Sequence, residues 1–136
     1  MPNDCLFCKI IRGEIPSAKV YEDKEVVAFL DIFPFTKGHT VVVPVEHHET
    51  FFDFPDDKVK NYFCTLKKLA DRIRINLNAD GLNIVQNNFR AAGQIIFHMH
   101  YHIIPRWTND NRPFLKQPKD QATPEYMAEM LKLIKG

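Results

Sequence analysis

The chain has 136 residues, 45% of them hydrophobic, and its 18 basic and 17 acidic residues leave a formal net charge of +1. This balance excludes the basic face of a protein that coats nucleic acid or an anionic membrane, so we expect neither as a partner. No segment approaches the roughly 18 to 20 consecutive apolar residues of a membrane-spanning helix, and the N-terminus lacks a signal-like apolar core. We therefore expect a cytoplasmic protein whose residues 1–136 form a single domain.

Three strands are predicted first in chain order. Val20 and Tyr21 mark the first strand, residues 26–30 form the second, and the charged run between them predicts a hairpin turn. Residues 32–38 are predicted to form a loop, because Pro34 cannot donate a ladder hydrogen bond and Gly38 permits unusual backbone angles. A third strand is predicted over residues 39–43.

A long helix is predicted between Pro55 and Leu77, where hydrophobic residues recur at spacings of three and four. Asp56 and Asp57 suit the positive end of its dipole. Cys64 is expected to lie on the hydrophobic face of this helix, in the core.

The C-terminal half completes the predicted fold. A strand over 82–86, a polar loop over 87–94 and a strand through Ile104 precede a short helix that begins near Thr123. Five strands joined mostly by hairpins, with one long helix and a short C-terminal helix, predict an α+β fold built on an antiparallel sheet.

Three histidines alternate with hydrophobic residues at positions 98, 100 and 102. In a strand, the α-carbons of the outer two would lie about 13 Å apart, too far for all three to bind one ion. A row of imidazoles suits an extended anion such as a phosphate chain, with one neutral ring as nucleophile.

Cys5 and Cys8 form a C-x-x-C pair that is either a redox pair or half of a zinc site. A redox pair normally opens a helix after a parallel strand, and no strand is predicted before residue 5. The pattern therefore favours zinc, with nitrogen or sulfur donors as the remaining ligands.

The segment from His98 to Ile104 resembles the His-x-His-x-His-x-x signature, with x hydrophobic, of the histidine triad (HIT) superfamily. Residues 6–16, 29–31, 37–39, 44–47 and 92–94 resemble the Hint-like branch in order and spacing. The resemblance covers about residues 5–106 and leaves a divergent tail, 107–136. It implies a HIT-like fold, a purine nucleotide substrate (AMP, GMP or their conjugates) and a homodimer.

The resemblance also implies a role for each matching residue. His100 is the nucleophile that forms a nucleotidyl-histidine intermediate, supported by His102 and His39. The implied phosphate ligands are Asn87, Gly93, Gln94 and His102, and the implied ribose ligand is Asp31. The resemblance implies a base pocket formed by Leu6, Phe7, Ile10, Ile15, Phe29 and Ile32. It also implies one structural zinc ion per chain, bound by Cys5, Cys8, His47 and His98.

Two positions leave alternatives open. His48 is adjacent to His47, although alternation along an extended segment favours His47 as the zinc ligand. Many relatives carry Ser or Thr where this chain has Ile95, and a hydroxyl there can hydrogen-bond the phosphate or the departing group.

The expected function is hydrolysis of adenosine nucleotide conjugates at the α-phosphate, with phosphoramidates such as AMP-lysine as substrates and AMP as product. Alternatives are a dinucleoside polyphosphate hydrolase, a zinc-stapled nucleotide-binding module with little turnover, and a zinc hydrolase that uses the triad as its metal site. Dimerisation is also favoured by the strand over 82–86, which carries no charge to protect an exposed sheet edge, and by Ile75, which lies off the main hydrophobic face of the long helix.

Overall fold

Five short hydrophobic segments form one antiparallel sheet, and a long helix packs on it. The computed structural model describes residues 2–113 and 118–136. The elements in chain order are α1 (Leu6–Ile11), β1 (Lys19–Glu22), β2 (Val26–Leu30), β3 (Thr40–Pro44), α2 (Asp56–Asn76), β4 (Gly81–Gln86), β5 (Tyr101–Arg106) and α3 (Pro124–Lys135). The sheet order is β1-β2-β3-β5-β4, with every neighbouring pair antiparallel. The predicted α+β fold with a five-stranded sheet is confirmed.

The two faces of the sheet bury two separate sets of hydrophobic side chains. Successive strand residues point to opposite faces, so Val26 and Ala28 pack toward α2, whereas Val27 and Phe29 pack toward α1. Tyr62 of α2 anchors the first layer, because its buried hydroxyl donates to the carbonyl of Val42 at 2.7 Å. The sheet therefore holds the short N-terminal helix on the face opposite the long one.

Three sequence-based expectations differ from the structure. Helix α1 was not predicted; Cys5 caps it, with its Sγ accepting a hydrogen bond from the Cys8 N–H at 3.4 Å. The strand predicted to carry the whole triad begins only at Tyr101, because the Met99 N–H donates to the His48 carbonyl instead of to a neighbouring strand.

The expectation that Cys64 lies in the core is wrong, because its side chain is exposed. At 100° per residue, Cys64 points about 200° away from Tyr62 and from Leu66, which belong to the buried stripe of α2.

Helix α3 begins as predicted. The Thr123 hydroxyl caps it by accepting a hydrogen bond from the Tyr126 N–H. None of its residues is buried, and hydrophobic side chains such as Met127, Leu131 and Ile134 are exposed. In the described ranges, no helix is long and apolar enough to cross a membrane.

Candidate catalytic and metal sites

His100 lies buried in the segment that leads into β5. Its Nδ1 is 2.7 Å from the carbonyl oxygen of His98, which has no proton, so Nδ1–H donates. The ring's other nitrogen, Nε2, therefore carries the lone pair. Burial lowers the pKa of His100, which favours the neutral ring at neutral pH. The geometry produces an imidazole whose nucleophilic nitrogen is fixed.

A chain of hydrogen bonds likewise fixes the protonation of His39 and His102. The Phe35 backbone N–H donates to His39 Nδ1 at 3.0 Å, so that nitrogen bears no proton. Neutral His39 must then carry its proton on Nε2, which lies 2.8 Å from His102 Nδ1 and donates to it. His102 therefore holds its own proton on Nε2. Burial lowers the pKa of His102 to about 4, so this ring is a neutral donor.

Asp31 lies beside this pair. One of its carboxylate oxygens accepts the Phe33 N–H at 2.8 Å, and the other lies 3.6 Å from His39 Nε2. The carboxylate is partly exposed, with 22% of its side chain accessible. Such an acceptor at the rim of the histidine cluster has the chemistry that a ribose hydroxyl requires.

The loop from Asn87 to Gln94 is tightly braced from inside. Buried Gln94 donates through Nε2 to the carbonyls of Glu49 (2.6 Å) and Ile96 (3.1 Å), and its Oε1 accepts the Phe89 N–H at 2.8 Å. The N–H groups of Gly93 and Gln94 donate to loop carbonyls at 2.9 and 3.1 Å. Gln94 thus positions the loop, whereas no hydrogen bond from the described residues engages the side-chain amide of Asn87.

Gly93 is required by its backbone conformation. Its φ of +91° lies in the left-handed region, which side chains disfavour. A β-carbon placed there would lie 3.9 Å from Asn87 Nδ2, so the two ends of the loop adjoin.

The residues expected to hold the base lie on α1, β2 and the loops that follow them. Phe7, Ile10 and Phe29 are buried in one cluster with Ile15 packed against it, and the Phe7 ring meets His100 edge-on at 5.0 Å. Leu6 and Ile32 are exposed. Buried residues thus form the floor of a candidate base pocket, and the exposed ones are free to contact a ligand.

Four donor atoms converge at the N-terminus of α1. Cys5 Sγ lies 3.5 Å and Cys8 Sγ 3.6 Å from His98 Nδ1; Cys8 Sγ lies 3.4 Å from His47 Nδ1, and the two Nδ1 atoms are 3.2 Å apart. A tetrahedral zinc ion, with bonds of about 2.3 Å to sulfur and 2.0–2.1 Å to nitrogen, separates sulfur from nitrogen by about 3.5 Å and nitrogen from nitrogen by about 3.3 Å. The observed spacings fit zinc.

The protonation pattern of this Cys-His cluster also fits a cation. His98 Nε2 lies 2.8 Å from the Pro44 carbonyl and must donate to it, which leaves a lone pair on Nδ1. Burial raises the pKa of the Cys8 thiol to about 11, so its thiolate needs a positive partner. His48 points elsewhere, with its ring against Phe54.

A second group, formed by Asp31, His39 and His102, has ligand atoms within 4.8 Å of one another. Coordination through His39 Nε2 requires the proton on Nδ1, where the Phe35 N–H already points. Two hydrogens would then face each other. His39 and His102 form a hydrogen-bonded relay, with the Asp31 carboxylate beside it, and this relay excludes an ion on His39.

Comparison with known proteins identifies the family. The family model described as HIT domain matches residues 12–109. The chain belongs to the HIT family. The HIT protein Hit of Bacillus subtilis is 54% identical over 104 residues, which cover 76% of this chain and 72% of that protein. Adenosine 5'-monophosphoramidase HNT1 of Candida albicans is 39% identical over 106 residues, covering 75% and 70%.

Solved HIT structures agree with this assignment. The structure of SMU.412c from Streptococcus mutans superposes with a TM-score of 0.92 and 41% identity, covering 99% of this chain and 85% of that one. A zinc-bound histidine triad family protein from Mycobacterium smegmatis superposes with a TM-score of 0.77 and 38% identity, covering 85% and 84%. The family suggested by the sequence is therefore confirmed.

Proposed function

We propose that this HIT protein hydrolyses adenosine nucleotide conjugates at the α-phosphate, with phosphoramidates such as AMP-lysine as the preferred class. The observation that carries the proposal is the fixed hydrogen-bond pattern around His100 and His102. One ring presents a lone pair and the other a proton, which is what attack on a phosphorus atom and charge neutralisation require. The phosphoramidase relative in Candida albicans supports this substrate class.

The reaction proceeds in two displacements. His100 Nε2 attacks the α-phosphorus while the P–N bond breaks, and the electron pair leaves with the amine nitrogen, which takes a proton from water because Ile95 offers no hydroxyl. Water then attacks the phosphorus of the nucleotidyl-histidine and gives its proton to the hydroxide left by the first step. The bond from phosphorus to His100 Nε2 breaks, its electron pair returns to the ring, and AMP is released. Two inversions give overall retention at phosphorus.

The other residues bind the nucleotide. His102 Nε2–H and the Asn87 amide donate to the phosphate oxygens, Asp31 accepts from the ribose hydroxyls, and the residues around Phe7 hold the base. A purine conjugate, of AMP or GMP, fits this hydrophobic floor. The hydrogen-bonded loop from Asn87 to Gln94 would increase the reaction rate, because it holds the Asn87 amide in place before the substrate binds.

A substrate panel tests the proposal. Steady-state rates are measured on AMP-lysine, diadenosine tri- and tetraphosphate, and ADP-sugars, and a single-turnover experiment with labelled nucleotide detects label on His100. We expect the highest kcat/KM on AMP-lysine. A dinucleoside polyphosphate as the best substrate would contradict the substrate class. Nucleotide binding without label or turnover would make the protein a binding module.

We further infer that Cys5, Cys8, His47 and His98 bind one structural zinc ion per chain. Four protein ligands leave no open position, so the ion would supply cross-linking and no catalytic step. The His98 side chain completes this cluster, and the His98 carbonyl accepts the hydrogen bond from the His100 Nδ1–H. The metal would thereby fix the backbone that orients the nucleophile.

We also propose a homodimer. Among the described residues, strand β4 lies at the edge of the sheet with no strand on its outer side, and Ile84 on β4 and Ile75 on α2 are exposed. Helix α3 adds exposed hydrophobic residues. Symmetric pairing would bury these surfaces together. Sedimentation equilibrium at micromolar concentration should return about twice the 15.9 kDa chain mass; a monomer that stays active at nanomolar concentration would contradict this.

A further inference from the structure

Phe89, in the loop between β4 and β5, has a backbone conformation that side chains avoid. Its φ is +70° and its ψ is 161°, a combination that is essentially restricted to glycine. Such strain persists only where the surroundings enforce it and is concentrated at functional sites. Because a glycine would adopt this conformation without strain, the phenylalanine ring is expected to serve a purpose at this position.

Hydrogen bonds from both sides hold Phe89 in this conformation. Its N–H donates to Gln94 Oε1 at 2.8 Å, and its carbonyl accepts the N–H groups of Ala92 and Gln94, both at 3.1 Å. The preceding residue, Asn88, accepts the Phe51 N–H through Oδ1 at 2.8 Å. The loop is thus tied to the segment that carries Phe51 and Phe52.

The strain places the Phe89 ring flat against the ring of Phe52. The ring centroids are 5.8 Å apart and the planes are only 9° from parallel. Both side chains nevertheless remain in contact with solvent, with 54% of Phe89 and 71% of Phe52 exposed. The pair is therefore a rigid aromatic platform with free surface.

The position of this Phe52–Phe89 platform follows from the strand order. The candidate base pocket lies over β2 and α1, and the catalytic histidines lie at the start of β5. The loop of Phe89 follows β4, the strand on the other side of β5 from β3 and β2. Asn87, the candidate phosphate ligand, is two residues away. A nucleotide whose base lies over β2 and whose phosphate lies at His100 thus directs its leaving group toward the platform.

We propose that Phe52 and Phe89 form the leaving-group subsite and bind a flat aromatic leaving group by stacking. This inference rests on the proposed function and specifies its substrate class. Aromatic rings bind one another more strongly than their buried area accounts for, by about three- to tenfold in affinity. Two leaving groups share this chemistry, an aromatic amine and the second nucleobase of a dinucleotide.

The test compares two AMP phosphoramidates, one made with 3-phenylpropylamine and one with 3-cyclohexylpropylamine. Each ring lies three methylene groups from nitrogen, so the two P–N bonds have nearly equal reactivity and the rings have similar apolar area. We expect the wild-type protein to favour the phenyl compound by about fivefold in kcat/KM. Equal kcat/KM values would overturn the proposal without any variant.

Variants assign the preference to the platform. Phe89→Leu and Phe52→Leu keep apolar bulk but remove a ring, and each should reduce the phenyl preference to nearly one. Phe89→Tyr keeps the ring and should retain the preference. Phe33→Leu, which removes an even more exposed ring (84%) beside Asp31, is the control and should leave the preference unchanged.

Three further outcomes are informative. If both leucine variants retain the phenyl preference, the assignment is overturned. It is also overturned if the variants change only the dissociation of the dimer, because a partner subunit would then cover the platform. If Phe89→Leu slows diadenosine triphosphate cleavage but not phenylpropyl amide cleavage, the nucleobase is the ligand and the aromatic-amine form is overturned. Failure of the proposed function is distinguishable, because the protein would then cleave neither amide, or would cleave diadenosine polyphosphates faster than AMP-lysine.

Discussion

The Cys-His cluster and the catalytic relay contain the same kind of side chain in opposite electrostatic arrangements. Around Cys5 and Cys8, the Nδ1 atoms of His47 and His98 lie 3.4–3.6 Å from sulfur atoms, and Nδ1 of His98 carries a lone pair. Between His39 and His102, a proton on one nitrogen faces a lone pair on the next at 2.8 Å. The spacing of the first arrangement fits a bound cation, whereas the second is complete without one. Proximity of donor atoms alone therefore does not identify a metal site; the protonation imposed by their other partners does.

The largest effect is expected at His100, the proposed nucleophile next to the relay. His100→Ala should abolish turnover while nucleotide affinity stays within about an order of magnitude, because most binding contacts lie on base, ribose and phosphate. Calorimetry and steady-state kinetics on AMP-lysine measure the two quantities. Turnover within tenfold of the wild type would remove His100 from the mechanism.

Sequence alone predicted the sheet, the long helix and the family, because hydrophobic spacing and the repeated histidines are local patterns. It assigned His39 to support the triad but not the direction of its hydrogen bond, because that direction depends on the Phe35 backbone N–H, whose partner is set by the fold of the loop. It assigned Gln94 to phosphate and did not foresee that the Gln94 side chain is hydrogen-bonded inside the loop; the phosphate assignment itself stays a prediction. The strained Phe89 was missed for the same reason, since nothing in the sequence marks a phenylalanine with positive φ.

The second prediction removes the cation from the Cys-His cluster. Cys8→Ser should lower zinc content from about one ion per chain to near zero and lower the melting temperature by about 10 °C or more, because a closed four-ligand site contributes to folding. The chemical step should change less, since no ligand touches the substrate. Metal analysis and thermal denaturation of protein purified without added zinc or a metal-affinity tag provide the measurements.

Cys64→Ser is the matched control for this prediction, because Cys64 is exposed and distant in sequence from the cluster. It should retain both zinc and melting temperature. Metal-free wild-type protein with a disulfide between Cys5 and Cys8 would instead support a redox pair.

The third prediction disrupts the relay without touching the nucleophile. His39→Ala should lower kcat by about 10- to 100-fold, because His102 then loses the donor that keeps its proton on Nε2. His39→Gln, whose amide can still donate, should restore part of the rate. Nitrogen NMR of the His102 ring reports its tautomer directly: it should change in the alanine variant and not in the glutamine variant. An unchanged tautomer with lost activity would reduce His39 to a structural role.

The smallest effect is expected at Phe89 and concerns stability. In Phe89→Ala the backbone of residue 89 stays in the unfavourable conformation while the stacking contact with Phe52 is lost. The free energy of unfolding should therefore fall. In Phe89→Gly the ring is lost too, but the conformation becomes accessible without strain, which is worth about 1–3 kcal/mol. Glycine's greater freedom in the unfolded chain offsets about 0.5–1 kcal/mol of this gain. The glycine variant should therefore be more stable than the alanine variant by about 1 kcal/mol, measured by urea denaturation. The reverse order would show that the backbone at Phe89 is relaxed, and the platform would then need no strain to hold it.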